Sequence, residues 1–202
     1  MTNHYYTENP DIAHDIEEWD FELAGKNFHF MTDSGVFSRK GVDYGSRVLI
    51  DVFDWKELPS EGRILDVGCG YGPIGLALAH ASGRTVEMID VNQRAVALAV
   101  ENAAKNHIEQ IDIHPSNIYE TLHETSYAAI VSNPPIRAGK QVVHEILSGA
   151  EPLLATGGTL TVVIQKKQGA PSAQKKMSEV FGNVEIVSKD KGYYILKSVK
   201  EA

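Results

Sequence analysis

The segment spanning residues 63–75 constrains the fold of this chain more than any other. Residues 64–67 are apolar except for Asp66 and indicate a buried strand, which leads directly into a turn with glycines at positions 68, 70 and 72. Glycine allows the backbone to turn tightly and a ligand to approach it closely. Because open α/β sheets bind ligands at the carboxyl ends of their strands, we expect a nucleoside-containing cofactor at this turn.

Strand-like and helix-like segments alternate after residue 63, which predicts a parallel sheet with helices on both faces. The predicted strands are 63–67, 84–90, 111–114, 127–132, 158–165, 183–188 and 192–199. The predicted helices are 73–82, 92–105, 139–154 and 171–181. The last two strands are too close for a crossover helix and should form an antiparallel hairpin. We therefore predict a Rossmann-like α/β fold with a seven-stranded, mostly parallel sheet.

Residues 1–60 are predicted to form an N-terminal extension that packs on the domain built by residues 61–202. Residues 1–20 are polar and indicate an arm or a short helix. Alternating apolar residues around Gly25-Lys26 predict a β-hairpin, and apolar spacing over 42–53 predicts a helix.

Charge and composition limit the classes of function. The net charge of −8 argues against indiscriminate nucleic-acid binding. Residues 1–24 contain seven acidic residues and no Lys or Arg, so the remaining chain is nearly balanced and can carry a local basic surface. No apolar run is long enough to span a bilayer, no signal pattern begins the chain, and one cysteine gives neither a disulfide nor a metal cluster. We expect a soluble, cytoplasmic protein without a metal.

The glycine turn departs from the usual dinucleotide pattern, because Pro73 stands where a third glycine would be. Asp90 ends the second predicted strand, where a carboxylate can accept hydrogen bonds from both ribose hydroxyls of a cofactor. The alternative role for Asp90 is to cap the helix that follows.

Four further residues near the strand ends have candidate roles. The Asp66 carboxylate would be costly to bury without hydrogen-bond partners. It either contacts the amino group of the cofactor or accepts hydrogen bonds from backbone N–H groups. Asn117 can bond the edge of an adenine while Ile118 packs on its face, unless the segment is a simple turn. We interpret Cys69 as a small residue in the turn and not as a nucleophile.

The segment Asn133-Pro134-Pro135-Ile136 carries the clearest chemical signal. Two prolines lock φ and lack backbone donors, so they make a rigid loop that displays carbonyl oxygens beside the Asn133 amide. Such acceptors suit a planar –NH2 group. They can draw its nitrogen toward tetrahedral geometry and orient its lone pair toward an electrophile. The alternative is a structural turn at the end of a strand.

Together, the glycine turn, Asp90 and residues 133–136 resemble class I S-adenosylmethionine-dependent methyltransferases that act on amino groups. Gly-Val-Phe-Ser at 35–38, with Asp43, Gly45, Ser46 and Leu49, narrows the resemblance to the ribosomal RNA small subunit methyltransferase C family. The resemblance covers about residues 21–197 and fits a short, single-domain branch. It implies S-adenosyl-L-methionine as cofactor, a methyltransferase domain at 61–202, and methylation of guanine N2 in 16S ribosomal RNA, with ribosomal RNA or the small subunit as partner.

Two positions depart from the pattern of that family. Many relatives have an aromatic residue after the prolines, whereas this chain has Ile136. Ile136 can still pack on the base, and Phe37 or Arg137 can supply a planar surface. Relatives often have an acidic residue at the position of Asn117, whose carbonyl can still accept from the adenine amine.

The predicted catalytic residues are Asn133, Pro134, Pro135 and Ile136. The predicted cofactor-binding residues are Asp66, Gly68, Cys69, Gly70, Gly72, Asp90, Val91, Asn117, Ile118 and Asn133. The predicted substrate-binding residues are Phe37, Ser38, Arg39, Arg137 and Lys140. Further candidate RNA contacts are Lys40, Arg47, Lys166, Lys167, Lys175 and Lys176.

Other functions are compatible with parts of this pattern. The same proline loop serves enzymes that methylate adenine N6 or a glutamine side-chain amide. A non-catalytic RNA-binding or assembly factor that keeps the cofactor fold belongs to a different class. A nicotinamide oxidoreductase is opposed by Pro73 and by the prolines at 134 and 135.

Overall fold

The structure is a computed structural model, and it describes Glu8 and residues 12–202. Its strands are β1 Glu17–Leu23, β2 Lys26–Thr32, β3 Ile64–Val67, β4 Val86–Asp90, β5 Ile111–Pro115, β6 Tyr127–Ser132, β7 Leu154–Gln165, β8 Glu185–Asp190 and β9 Tyr193–Val199. Its α-helices are α1 Tyr44–Val52, α2 Pro73–Ser82, α3 Gln93–Lys105, α4 Lys140–Ala150 and α5 Ala170–Phe181.

The main sheet has seven strands in the order β5-β4-β3-β6-β7-β9-β8. Strands β3 to β7 run parallel, whereas β9 is antiparallel to both β7 and β8. One apolar core joins α1, α2, α3 and the β1–β2 hairpin to one face, and a second core joins α4 and α5 to the other. The predicted Rossmann-like fold, with its C-terminal antiparallel hairpin, is confirmed.

The chain reverses its direction of travel across the sheet between β3 and β6, which are neighbours although two strands separate them in sequence. The end of β6 is tied to the end of β3, because the Ser132 hydroxyl donates to the Val67 carbonyl over 2.7 Å. Such a switch point opens a crevice at the carboxyl edge of the sheet.

The β1–β2 hairpin begins earlier in the chain than predicted, and it packs against the apolar core. Residues 17–20 were predicted to belong to an arm, but they form the first half of β1; residues 1–7 and 9–11 of that arm lie outside the described residues. Trp19 packs against Phe30 and Tyr71, with ring centroids 5.3 and 5.8 Å away. Acidic residues alternate with Trp19 and Phe21 along β1. The segment is therefore polar by composition, and no strand was predicted for residues 17–20.

The connection from α4 to β7 also differs from the prediction. Pro152 prevents the helix from continuing, so α4 ends at Ala150 and a short 3-10 turn covers Glu151–Leu153. Strand β7 then begins at Leu154, four residues earlier than predicted, and an irregularity in its pairing with β6 accommodates the glycines at 157 and 158.

Among the described residues, no helix combines the length and apolar character needed to cross a membrane.

Candidate functional site

A cavity of about 290 Å³ opens where β3, β4 and β6 end. This volume lies just below the usual range for small-molecule sites, roughly 300–1,000 Å³. Many of the predicted site residues line it, namely Phe37, Ser38, Gly68, Cys69, Gly70, Asp90, Val91, Asn117, Ile118, Asn133, Pro134 and Pro135. Several predicted residues do not line it, namely Arg39, Asp66, Gly72, Ile136, Arg137 and Lys140.

The glycine loop forms the floor of this cavity. The amides of Gly68 and Cys69 both donate to the Ile89 carbonyl, at 2.8 and 2.9 Å, and so fasten the loop to β4. Gly68 and Gly70 have φ of 74° and 58°, and a Cβ at either would meet no atom within 4 Å. The space above these two residues is therefore left open by the absence of side chains.

Gly72 and Cys69 serve the loop in other ways. Gly72 precedes α2 with φ of 104°, and a Cβ there would approach Leu76 and Met88 at 3.1 Å, so this glycine faces the core and not the cavity. The Cys69 thiol is buried, and burial raises its pKa well above the usual value. A thiol that stays protonated fits the interpretation of Cys69 as a small residue without a nucleophilic role.

Asp66 lies beneath the loop, where its carboxylate accepts from the Gly75 amide at 2.8 Å. Its second oxygen, Oδ1, is buried without a partner among the described residues. Burial is the largest cause of a pKa raised to about 7. Of the two roles considered, the structure shows the contact with a backbone N–H, and Asp66 couples β3 to α2.

Asp90 stands at the edge of the cavity and is held from two sides. Its Oδ2 accepts from the Gly70 amide and its Oδ1 from the Asn92 amide, both at 2.8 Å. The capping alternative is wrong, because the Asn92 side chain caps α3 by accepting from Arg94 and Ala95 amides. Burial raises the Asp90 pKa to about 6, so the group is mainly ionised at neutral pH. Each oxygen retains a lone pair for a further donor.

Asn117 and Ile118 follow the end of β5 and line the cavity, as Val91 does after β4. The Asn117 Nδ2 donates to Glu120 Oε1 at 2.8 Å, so the Oδ1 of Asn117 remains as its acceptor. Ser116 holds this segment by donating to the Ile118 carbonyl at 3.0 Å, while Ile118 adopts φ of 52°.

The Asn133 side chain is oriented by two residues of the N-terminal extension. Its Nδ2 donates to Asp43 Oδ2 at 2.9 Å and to Ser46 Oγ at 3.0 Å. Asp43 also caps α1 by accepting from the Ser46 amide at 3.2 Å. Both amide hydrogens are used, so the Oδ1 of Asn133 remains as its acceptor. Sequence reasoning missed this positioning role, although Asp43 and Ser46 belong to the segment that carried the family resemblance.

The proline loop is fixed by its own backbone. The Pro135 carbonyl accepts from the Ala138 amide at 2.9 Å, which closes a 3-10 turn over Ile136–Ala138. Ile136 packs toward the core formed with α4 and α5, and it does not line the cavity. The structure thus places the predicted base-packing side chain away from the cavity, whereas Phe37 lines the cavity and is 41% exposed.

Two groups of predicted RNA contacts are neutralised. The Arg39 guanidinium contacts Asp15 and also Glu17 at 3.0 Å, because the acidic segment before β1 lies over it. Lys175 and Lys176 both lie within 4.0 Å of Glu179, so these two lysines have an acidic neighbour one turn along α5. The structure does not support these three as substrate contacts. Arg137 and Lys140 are exposed beside the proline loop.

A group of three possible metal ligands lies outside the cavity, formed by Glu87, His114 and His123. Buried Glu87 accepts from the Tyr127 hydroxyl at 2.8 Å, the His123 backbone amide at 2.9 Å and the His114 ring at 2.9 Å. The exposed His123 ring contacts Asp112 Oδ2 at 2.9 Å instead. We interpret the group as a hydrogen-bond network that satisfies a buried carboxylate.

Sequence comparison matches residues 27–197 to the methyltransferase small domain family. The chain is 52% identical over 202 residues to the uncharacterized protein YbxB of Bacillus subtilis, with 99% of this chain and 100% of that protein covered. It is 32% identical over 171 residues to ribosomal RNA small subunit methyltransferase C of Erwinia tasmaniensis, with 82% of this chain and 48% of that protein covered. It is 30% identical over 193 residues to ribosomal RNA large subunit methyltransferase G of Pectobacterium atrosepticum, covering 91% of this chain and 48% of that protein.

Among solved structures, the chain resembles a T. thermophilus 16S rRNA N2 G1207 methyltransferase (RsmC) in complex with AdoMet and guanosine. The TM-score is 0.82 at 22% identity, with 95% of this chain and 52% of that chain covered, so this likeness concerns the fold. The chain spans about half the length of the ribosomal RNA methyltransferases it matches. On the family match and the relatives together, this chain belongs to the methyltransferase small domain family of S-adenosylmethionine-dependent methyltransferases.

Proposed function

We propose that this methyltransferase acts on an exocyclic amine, the N2 of a guanine in 16S ribosomal RNA. The observation that carries the proposal is the fixed Asn133 amide at the cavity wall, with both its hydrogens held by Asp43 and Ser46. An amide held in this way presents an acceptor, and an acceptor recognises a donor such as –NH2. The relatives named for ribosomal RNA methylation favour RNA as the carrier of that amine.

The cavity fits S-adenosylmethionine at one end. The open space at Gly68 and Gly70 would let part of the cofactor lie against the backbone of the loop. The two Asp90 oxygens would accept from the ribose hydroxyls of the cofactor. Asn117 and Ile118 would contact its adenine from the end of β5. When bound, the cofactor supplies an electrophilic methyl group attached to a sulfonium.

The proline loop supplies the orientation of the amine. We assign one amine hydrogen to Asn133 Oδ1 and the other to the Pro134 carbonyl, because the Pro135 carbonyl is already used by Ala138. Two acceptors in fixed positions orient the nitrogen lone pair and reduce its delocalisation into the ring. Because these groups are held before the substrate arrives, they cost no reorganisation during the reaction.

Phe37 is the side chain that we assign to the face of the base. It is exposed, and it lines the cavity together with Ser38 and Asp43. A guanine in a duplex would have to be extruded to reach it, at a cost of roughly a few kcal/mol, and an unpaired guanine would avoid this cost.

Product analysis tests the proposal. Wild-type protein is incubated with labelled cofactor and 16S ribosomal RNA, naked or assembled into small subunits, and the modified nucleoside is identified. We expect N2-methylguanosine. N6-methyladenosine, or a methylated glutamine in a ribosomal protein, would assign the same loop to a different amine, and an absence of label in every substrate would favour a non-catalytic RNA-binding factor.

The Asn133→Ala variant tests the assigned role of the amide. Removing one preorganised group of this kind costs about 10²–10³-fold in rate, while cofactor affinity should stay within about 2-fold because Asp90 and the glycine loop are untouched. A methylation rate equal to that of the wild type would show that Asn133 has no catalytic role.

A further inference from the structure

We propose that a cationic surface beside the cavity binds the RNA backbone near the target base; this inference rests on the proposed function. The surface combines the tip of the β8–β9 hairpin, the first turn of α1 and the turn after β7. We call it the hairpin-tip surface, and its residues are Tyr44, Arg47, Lys166, Lys167, Lys189 and Lys191.

The topology places this surface at the same edge of the sheet as Asn133. Strand β9 pairs antiparallel with β7 so that Tyr193 lies opposite Gln165, the last residue of β7. The Lys166 amide donates to the Gly192 carbonyl at 2.8 Å and joins the turn after β7 to the hairpin tip. Because β6 and β7 are parallel, the tip and the proline loop both lie at the carboxyl edge.

The tip is also attached to the helix that orients Asn133. The Tyr44 hydroxyl donates to Asp190 Oδ2 at 2.6 Å. The Tyr193 ring covers the backbone of Gly45 so closely that a Cβ on Gly45 would lie 2.7 Å from it. Tyr44 and Gly45 stand between Asp43 and Ser46, the two residues that hold the Asn133 amide. A ligand on the hairpin tip would therefore be adjacent to the reacting amine.

The cations of this surface differ from the neutralised ones elsewhere. Lys191 Nζ lies 4.6 Å and the Arg47 guanidinium 4.7 Å from the centre of the Tyr44 ring, and Lys189 Nζ lies 5.0 Å from that of Tyr194. In the described part of the chain, none of the five cations comes within 4.0 Å of a carboxylate, whereas Arg39 does. The nearby carboxylate, Asp190, accepts from Tyr44.

This arrangement matches a polyanion that carries planar bases. Five cations gathered on one edge of a chain with net charge −8 create a local field of the opposite sign to that of the whole protein. A cluster of Lys and Arg side chains on one face is the electrostatic footprint of nucleic-acid binding, and here the cations lie beside the half-buried rings of Tyr44 and Tyr194. An acidic protein segment would also be attracted by the charge, but its carboxylates carry no planar bases to pack on the rings of Tyr44 and Tyr194.

The test removes two charges from the tip without changing its shape. Lys189→Gln/Lys191→Gln is compared with the wild type for binding of a 16S ribosomal RNA fragment over a series of salt concentrations. Both side chains are exposed, so the variant should fold, which thermal unfolding checks. The matched control is Lys56→Gln/Lys200→Gln, since Lys56 follows the far end of α1 and Lys200 follows β9 at the opposite edge of the sheet.

We expect the slope of log affinity against log salt to fall by about 1.4, since each phosphate contact with single-stranded RNA contributes about 0.7. RNA affinity at moderate salt should fall on the order of 10-fold. The KM for RNA should rise by a similar factor, whereas kcat at saturating RNA and the affinity for S-adenosylmethionine should not change. The control variant should keep the wild-type slope.

The outcomes separate the surface from the proposed function. If wild type and double variant share one slope while both produce N2-methylguanosine, the hairpin-tip surface is wrong and the proposed function stands. If the wild type binds no RNA but methylates a protein, and the double variant weakens that reaction, the partner is an acidic protein and both proposals are overturned.

Discussion

At the scale of single residues, the orientation of Asn133 depends on partners 87 and 90 positions earlier in the chain. An asparagine amide can rotate, and either its oxygen or its nitrogen can face a ligand. Here Asp43 and Ser46 accept from the nitrogen, so the oxygen is the atom presented. Their role is to position Asn133, while Asn133 itself is assigned the contact with the amine.

We predict that Asp43→Ala lowers kcat by about 100-fold, because a displaced catalytic group loses a factor of this size. Asp43→Asn should retain activity within about 10-fold, because an asparagine oxygen still accepts from Asn133 and still caps α1. Steady-state kinetics with saturating cofactor measures both. Asp51→Asn, an exposed carboxylate on the same helix, is the matched control and should leave kcat unchanged.

If Asp43→Ala and Asp43→Asn lose activity equally, the negative charge and not the hydrogen bond would be the important property. If neither variant changes kcat, the orientation of Asn133 does not depend on Asp43.

At the scale of elements, helix α3 completes the hydrogen bonding of the β1–β2 hairpin. Strand β2 pairs with β1 along one edge, and on its other edge the Met31 amide donates to Asn102 Oδ1 at 2.7 Å while the Met31 carbonyl accepts from Asn102 Nδ2 at 2.9 Å. Asn106, one turn later, makes the same pair of contacts with His29 at 2.8 Å. The side chains of Asn102 and Asn106 thus satisfy the backbone groups at the free edge of β2, as a neighbouring strand would, and they attach the hairpin to α3.

We predict that Asn102→Ala destabilises the protein by about 2–4 kcal/mol, because it leaves the Met31 amide and carbonyl and the Tyr71 carbonyl without partners. Urea unfolding measures this loss. The exposed neighbour Glu101→Ala is the control and should change the free energy of unfolding by less than about 0.5 kcal/mol. A loss as small as that of the control would mean that water replaces the amide at this edge.

At the scale of the whole molecule, the stability of the fold depends on pH through two carboxyl groups, Asp66 beneath the glycine loop and Asp90 at the cavity edge. Burial raises the pKa of Asp66 to about 7 and that of Asp90 to about 6, from 3.8 for each. The folded protein therefore keeps these protons to a higher pH than the unfolded chain does. Each group contributes most below pH 4, and its contribution falls as the pH rises toward its folded pKa.

We predict that Asp66→Asn becomes more stable relative to the wild type as the pH rises from about 4, and that the difference levels off as the pH passes the folded pKa of about 7. An asparagine still accepts from the Gly75 amide but carries no charge to bury. Urea unfolding of the ligand-free proteins between pH 4.5 and 8 measures the difference. A pH-independent difference would show that the Asp66 carboxyl has the same pKa in the folded and unfolded states.

Local patterns were sufficient for the features that lie within one continuous segment. The strand-turn-helix at 63–75, the strand end at Asp90 and the loop at 133–136 appear in the structure where the sequence predicted them, and all three meet at one cavity. Periodicity and special backbone residues report local conformation, and the rules for parallel sheets bring the strand ends together. The fold, the cavity edge and the family could therefore be predicted from the sequence.

Tertiary structure decided what each side chain contacts. Arg39 contacts Asp15 and Glu17, Ile136 packs against the core and not toward the cavity, and Asp43 and Ser46 accept hydrogen bonds from Asn133. Tertiary structure also brought the hairpin tip of residues 189–193 against α1. A hydrophobic pattern states which face of an element is buried, but the partner of a polar side chain depends on segments that only folding makes neighbours.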